Sequence, residues 1–524
     1  MGRRPLLLVF VALFLFSAAP AEAGWTSDAR AIQKGLTASV HAHRLTRGEA
    51  YRYRVETRRA RALLPRLPWT RAANLGAVLH DVALQSRRYS RPRALTLFSM
   101  LRVNRTYLGS HSMPSAKHDV LDGDGVVYRS FPGQGLQFHP LGNFARLNGR
   151  LMGGHLDAAA KLAAALQARA ISKPGRSAVW EYLFPFGGGR PPWTSGMAQA
   201  VAAQSLARAG DRLGKPDFVR LAGRAFRIVP RHLIMPLSSG PWIRHYSFGR
   251  LVVLNSQLQS ELSIQDYGEI AHDAAATSLA ARMRTSSARA LPRFDTGYWS
   301  LYAPGVPSPL SYHVYVVSLL RKLANRTGAP VWENAAARFN RYTHEPPKLR
   351  GGPTRKLIYP WPADGFRDST MISFWLSKPS TVTLRIGGER RRLSLGGGWH
   401  RLRWKPGRRA PRLYRPFLSA VDWAGNRANV GFASVRIAVD RTPPDVSAWS
   451  AGSRIVWRAK DATTPWVRLS LHLSRGGKSR VIRLGDRALH GSLRVRLAKR
   501  WQARLVVSDS SGNRSITELG TIGH

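Results

Sequence analysis

Between residues 72 and 342, apolar side chains recur every third or fourth position in a series of segments: 72–85, 94–108, 155–170, 195–212, 217–229, 251–267, 269–284, 309–325 and 331–342. That spacing places one apolar stripe on each segment and predicts amphipathic helices. Residues 119–138 interrupt the series with short alternating runs set among Gly, Asp and Pro, which predicts a long loop or β-hairpin. Asp122 and Asp124 flank Gly123 there, but the run lacks the further ligands of a calcium loop, so a turn is expected. Beyond residue 343 the period changes from helical to two. Runs at 371–377, 381–388 and 392–404 alternate as sandwich strands do. Two stretches, 417–428 and 504–515, each close a strand with an Asp-x-x-Gly-Asn turn.

The pattern predicts a multidomain chain. Helices of similar length in succession can pair antiparallel and close into a ring, an all-α (α/α) toroid over residues 24–345. Its parts are a helical portion at 24–118 and the β-like loop at 119–150. A Pro/Gly/basic linker is expected at 346–360, followed by two small β-sandwiches at 361–441 and 442–524. The sandwiches resemble bacterial Ig-like domains, and the stretch 440–446 reads as the hinge between them. At the N-terminus, Arg3 and Arg4 precede an apolar run from Leu6 to Ala19, then Ala21-Glu-Ala23. This is the pattern of a signal peptide over 1–23, so the mature chain is expected to be secreted or held at the cell surface.

The stretch 180–210 organises the helical part. From Tyr182 to Pro192 it gathers aromatics, three consecutive glycines and two prolines, which no regular element accommodates. From Thr194 it becomes a helix rich in Ala, Ser and Gly, capped by Thr194 or Ser195. An aromatic rim over closely packed helices suits sugar rings, whose apolar faces stack on aromatic ones. Composition narrows the partner. The 524 residues carry a formal net charge of +52, spread along the chain. No nucleic-acid fingerprint accompanies that charge, so an anionic polysaccharide or the cell envelope is the expected partner. Cysteine is absent, which excludes disulfides, thiolate metal sites and cysteine nucleophiles. Histidines lack zinc-enzyme spacing and the Gly187–Gly189 run lacks a phosphate-loop lysine; no metal and no cofactor are expected.

Four segments, in order, resemble the C-terminal domain of the D-glucuronyl C5-epimerase family. They are PPWTSGMAQAVAAQSLARA with its core at Trp193, Ser195, Met197, Ala198 and Gln199; VLNSQLQSELSIQDY from Val253; FDTGYWSLY with SYHVYVVSLLRKL between Phe294 and Leu323; and a weaker stretch from Gly125 to Asn148. The resemblance implies the toroid fold and C5 epimerisation of uronic acid residues in a polysaccharide such as a heparan sulfate-like glycan. It also implies that Tyr302 and Tyr312 are the acid/base pair. One position departs from the pattern: Gln259 stands where vertebrate-type epimerases have a tyrosine. The chemistry asks for a base on one face of the sugar, a proton donor on the other, and groups that neutralise the uronate carboxylate. Glu181 is a further acid/base candidate. Arg190 can clamp a carboxylate, and Trp193, Gln199, Asn255, Gln259, His313, His139 and Tyr128 are candidates to line the substrate groove. Two alternatives remain. One is a lyase or hydrolase on the same toroid, the hydrolase drawing two carboxylates from Glu181, Glu261, Asp266 and Asp295. The other is a non-catalytic glycan- or wall-binding protein.

Overall fold

A computed structural model describes residues 22–407 and 409–523. The expected leader therefore lies outside the described residues, save Glu22 and Ala23, which begin the first helix. The chain divides into two compact units, 1–340 and 341–524.

The first unit is built of helical hairpins. Four helices come first: α1 (Glu22–His41), α2 (Arg47–Leu63), α3 (Trp69–Leu84) and α4 (Arg91–Ser110). Of these α1 packs on α2 and α3, and α4 packs on α2 and α3. A three-stranded antiparallel sheet follows, β1 (Asp119–Leu121), β2 (Val127–Phe131) and β3 (Gly135–Phe138). The expected turn is present: Asp122 Oδ1 accepts the amides of Asp124 and Val126. Then come α5 (Pro140–Met152), α6 (Leu156–Gln167), α7 (Gly196–Arg212), α8 (Pro216–His232), α9 (Leu254–Ile270), α10 (Ala274–Ala290), α11 (Leu310–Thr327) and α12 (Pro330–Tyr342). Helices α5, α7, α9 and α11 touch in sequence, while α6, α8 and α10 each cover the helix before them. This is the paired-helix architecture of the (α/α) toroid class.

The inner position explains the composition of α7 and α9. Both are buried on nearly every side, which selects Ala, Ser and Gly and gives them little amphipathic character, whereas α8 has one apolar stripe of Phe218, Leu221, Ala225 and Val229. Ser195 caps α7, accepting the Ala198 amide. Gly196 stands so close to the neighbouring strand end that a Cβ would lie 2.5 Å from the Arg244 carbonyl oxygen and 2.6 Å from Ile243 Cγ1. Gly196→Ala is therefore expected to lower stability by about 1–3 kcal/mol. Gly149→Ala in α5, where a Cβ meets nothing within 4 Å, is expected to raise it slightly. Denaturant midpoints of the two variants read the contrast.

Pattern reading missed α5 and three short hairpins, β4–β5 (Ile171–Lys173, Ser177–Val179), β6–β7 (Ile234–Leu237, Gly240–Ile243) and β8–β9 (Leu301–Ala303, Val306–Pro307). Each hairpin precedes one inner helix.

The second unit contains two β-sandwiches of matching plan. In the first, strands Leu349–Pro353, Thr370–Leu376 and Gly398–Trp404 face a four-stranded sheet of Glu389–Leu395, Ser380–Ile386, Phe417–Asp422 and Arg427–Gly431. Ile372 and Phe374 of one sheet share a core with Val382, Leu384 and Leu418 of the other. The second repeats the three-plus-four arrangement over Asp445–Ile522, with Trp457, Leu469, Leu471 and Leu505 buried. The expected linker at 346–360 is corrected. Leu349–Pro353 pairs antiparallel with Ile372–Leu376, Leu357 and Ile358 pair with Arg436 and Ile437, and Ile358 is fully buried. Its Pro, Gly and basic residues occupy an edge strand.

Candidate active site

Four polar side chains near the starts of the inner helices fix the extended segments that precede them. On α5, Asn143 Oδ1 accepts the Val127 amide at 2.7 Å and Nδ2 donates to the Val127 carbonyl at 2.9 Å. On α7, Gln199 Oε1 accepts the Trp180 amide at 3.1 Å, and Nε2 donates to the Ala178 carbonyl at 3.0 Å and to Ala225 of α8. On α9, Gln257 Oε1 accepts the Ile243 amide at 2.7 Å, and Nε2 donates to the carbonyls of Pro241 and Met283. On α11, His313 Nδ1 lies 2.7 Å from Ser300 Oγ and accepts the Ser300 amide, while Nε2 donates to Phe339 O at 2.8 Å. Each peg thus satisfies buried backbone groups that a β-hairpin too short to pair fully would leave orphaned.

This corrects two expected substrate contacts. Gln199 and His313 are fully buried and bonded to backbone, so their work is positioning. Tyr128 is corrected as well. It is buried, with its hydroxyl donating to Asp122 Oδ2 at 3.1 Å and its ring edge-on to Phe138. Glu181 is 3% exposed and forms a bidentate pair with Arg93 at 2.9 and 3.0 Å, with Lys173 at 2.9 Å. Burial pushes its carboxyl up, but the Arg93 hydrogen bonds and charge and the Lys173 charge outweigh that and hold it below the usual carboxylate range. A carboxylate so held is a counter-ion, not a proton shuttle. The other hydrolase candidates are engaged similarly. Asp266 pairs with Arg208 and Arg326, Asp295 with Arg338, and the buried Glu261, pushed up to about 8 by burial, accepts from Ser287 Oγ. No two of these four form a free carboxylate pair, so this set does not supply the two carboxylates hydrolysis needs.

The pegged strands carry a continuous aromatic cluster, in which Tyr182, Phe184 and Trp193 are buried, so the expected substrate contact at Trp193 is corrected to a packing role. Tyr182, beyond β5, stacks on Trp193 at 4.1 Å and 3°, and the two residues also pair through their backbones. The Trp193 indole N–H donates to the Phe184 carbonyl at 2.8 Å, and its ring meets Tyr246 at 5.3 Å and 80°. Tyr246 contacts His245 at 4.2 Å, His245 Nε2 lies 3.3 Å from the Tyr302 hydroxyl, and the Tyr302 ring meets that of Tyr312 at 5.3 Å and 69°. On α11, Tyr315 lies one turn from Tyr312, and its hydroxyl donates to Gln259 Oε1 at 2.6 Å. Tyr302, Tyr312, Tyr315 and Gln259 therefore form one connected, partly exposed surface, and the buried Trp193 backs it through Tyr246.

Charge is distributed unevenly over this surface. Lys117 Nζ stands 5.9 Å above the Tyr312 ring. Arg129 of β2, paired with Asp119 at 2.7 and 2.8 Å, interacts electrostatically with both Tyr182 and Tyr312. Tyr302 has no such cation beside it: burial first, then the neighbouring phenols of Tyr246 and Tyr312, push its hydroxyl well up. Tyr315 is pushed up to about 12 by burial and by Tyr312. His245 is pushed down to about 4 by burial, and its buried Nδ1 has no hydrogen-bond partner. His139 caps α5, its Nδ1 accepting the Gly142 amide at 2.9 Å; burial and the Arg129 charge hold it far below its usual value, so it is neutral with the proton on Nε2. Its ring meets Tyr182 edge-on at 5.4 Å. Asn255 is buried with its Oδ1 unpartnered, and Arg190 is exposed on the rim loop.

Sequence reasoning placed Tyr182 in the aromatic rim but overlooked Arg129, Lys117, His245, Tyr246 and Tyr315. Only Tyr315 had a legible signal, the i, i+3 spacing to Tyr312 on a helix.

Fold and site together define a paired-helix protein with a phenol-lined, cation-flanked surface. The family model described as D-glucuronyl C5-epimerase C-terminus matches residues 175–341, and that segment belongs to this family. It contains Tyr182, Trp193, His245, Tyr246, Gln259, Tyr302, Tyr312 and Tyr315; Lys117 and Arg129 lie before it. No curated protein matches the chain. Among solved structures, it is similar to a sugar epimerase from a ruminal bacterium (10% identity, 54% of this chain and 75% of that one, TM-score 0.35). It is also similar to cellobiose 2-epimerase from Bacillus thermoamylovorans (9%, 53% and 73%, 0.35) and to an endo-β-1,4-glucanase from Acetobacter xylinum (14%, 39% and 72%, 0.30). Among the described residues no helix is long and apolar enough to cross a membrane.

Proposed function

We propose that the helical unit is a carbohydrate epimerase that inverts C5 of uronic acid residues in an anionic polysaccharide, and that the chain is exported to meet it. The observation that carries the reading is the asymmetry of the Tyr302–Tyr312 pair. Two phenols touch at 5.3 Å, with cations facing one and a neutral imidazole beside the other. Groups of one kind in environments that differ in charge are suited to opposite roles in proton transfer.

Tyr312 is assigned the base. Tyr312 acts as the phenolate: as the C5–H bond breaks, the proton passes to the Tyr312 oxygen, giving the phenol, and the electron pair enters the enolate of the uronate carboxylate. Negative charge on that side is stabilised by Lys117 and Arg129. Tyr302, a partly exposed neutral phenol, then donates its proton to the other face of C5. His245, uncharged at neutral pH, orients the Tyr302 hydroxyl through the 3.3 Å contact at its Nε2, and the phenolate left at Tyr302 regains its proton from solvent. The partly exposed Tyr246, backed by the buried Tyr182 and Trp193, offers the sugar ring an aromatic face.

The test is incubation with a panel of uronans in heavy water. Deuterium at C5 of the recovered polymer is the expected result. A product with an unsaturated, ultraviolet-absorbing uronate would make the protein a lyase, and no incorporation across the panel would sink the reading.

A further inference from the structure

Helices α2 and α4 face each other across a groove of about 730 Å³ that shares no residue with the phenol surface. That volume is typical of ligand sites. Its two walls are helical stripes, with Glu49, Arg52, Glu56 and Arg59 on α2 and Arg91 and Arg102 on α4 among the lining residues. Between them Tyr53 stacks on Phe98 at 4.3 Å and 10°.

The carboxylates of the groove are already engaged. Glu49 accepts the Thr46 amide at 2.8 Å in a capping box and pairs with Arg91 at 2.6 Å. Glu56 pairs with Arg105. Among the described residues no carboxylate pairs with Arg52, Arg59 or Arg102, and all three are exposed. Three guanidinium groups lining one concavity repel one another unless an anion bridges them. Spacing decides what kind of anion. Arg52 and Arg59 are two turns apart on α2, about 10 Å along its axis. No single phosphate or carboxylate reaches both, whereas a polymer with a charge on successive units does. Tyr51, 62% exposed at the edge of the groove, offers an open aromatic face of the kind that sugar rings stack on. Tyr51 also borders a second groove, of about 340 Å³, on the other flank of α2, where Arg30, Arg54, Arg58 and Arg61 collect.

We infer that the α2–α4 groove is a second binding site for an anionic polysaccharide, gripping by Arg52, Arg59 and Arg102 a stretch of chain away from the reacting sugar. The inference rests on the uronan-epimerase reading for the identity of the polymer, though not for the charge it must carry. Such a site holds the polymer between turnovers and favours long substrates over short ones.

The experiment uses the full chain and polygalacturonate as probe. The triple variant Arg52→Gln, Arg59→Gln, Arg102→Gln is compared with a control of equal charge, Arg390→Gln, Arg392→Gln, Arg480→Gln, whose sites are exposed strand positions in the second unit. The groove variant is expected to bind the polymer about tenfold more weakly, with a shallower salt dependence and an unchanged thermal midpoint. The control is expected to lose little. Equal losses in the two variants, or none in the groove variant, would overturn the inference, because net charge alone would then account for binding. A loss of duplex-DNA retention as large as that for polygalacturonate would also overturn it, by making the groove a general polyanion site. Heavy-water exchange separates this inference from the function it rests on. Loss of polymer binding without C5 exchange in any variant removes the epimerase reading and leaves the groove standing. Full exchange with unchanged binding does the reverse.

Discussion

Replacing Tyr312 by Phe is expected to abolish both C5 proton exchange and inversion, whereas Tyr302→Phe retains exchange while losing inversion. Each substitution removes one hydroxyl and keeps the ring, so the 5.3 Å aromatic contact and the wall behind it persist and polymer binding changes little. The loss of turnover is about 10²–10⁴-fold, the range for removing a positioned acid or base. The two variants separate because the charges about the phenols differ. With Tyr312 present beside Lys117 and Arg129, a substrate C5 proton can still leave and return to the same face, carrying deuterium from the solvent. Without it, no group on the cationic side accepts that proton. His245→Gln is expected to fall between, loosening the hold on the Tyr302 hydroxyl without removing the phenol. Turnover and solvent deuterium are read on the same samples, for substrate of the starting configuration. Identical exchange losses in both tyrosine variants would refute the assignment of base and acid. No loss in either would remove both tyrosines from the chemistry.

Legibility of the fold tracked the length of each element, except at α5, whose 13 residues open on Pro140 and Gly142 and so read as the end of the preceding loop. Helices α6 to α12 have enough turns for a 3.6-residue period to show, and their expected positions lie close to those observed. The hairpins β4–β5, β6–β7 and β8–β9 have two to four residues per strand, too few for a two-residue period, and they depend on side chains from the following helix. The strand Leu349–Pro353 looked like a linker because a single leucine among Arg, Gly and Pro has no periodicity.

The site divided along a different line. A motif shows that polar residues stand near a helix start without showing which way they face. Gln257 and Gln259 are two residues apart on α9, and only the first is a backbone peg; the second meets Tyr315. Gln199 and His313 stood in the most distinctive motifs and anchor the strands; Tyr302 is carried by one of those strands, and Tyr312 stands beside His313 on α11. His245 and Tyr246 follow β7 without a motif of their own, and packing alone brings them between Trp193 and Tyr302. The sequence position of Gln259, where a tyrosine was expected, becomes intelligible in this setting. A phenol is present there after all, contributed by Tyr315 from α11.

Arg93→Met is expected to destabilise the helical unit by about 3–5 kcal/mol at neutral pH, the usual cost of leaving one member of a buried ion pair alone. The Arg93 and Glu181 side chains are 10% and 2% exposed, so solvent screens the pair little. Lys173 remains 2.9 Å from the carboxylate, but its side chain is 36% exposed and restores only part of the interaction. The pH dependence follows from the direction of the Glu181 shift. Its folded-state pKa lies below the unfolded value of about 4.5, so the ion pair contributes fully above pH 4.5 and its contribution is lost as pH falls through the lower, folded value. Removing Arg93 takes away the largest opposing influence and leaves burial to push the carboxyl up. The variant then takes up a proton on folding at mildly acidic pH, and the gap to the wild type narrows between pH 7 and pH 5. Urea unfolding followed by far-ultraviolet circular dichroism at those two values measures it. Glu181→Gln completes the argument: as a counter-ion it should lower stability and leave the kcat of the remaining folded protein largely intact. Wild-type stability with abolished turnover would instead return Glu181 to the reacting groups, and with it the expectation that the present geometry removes.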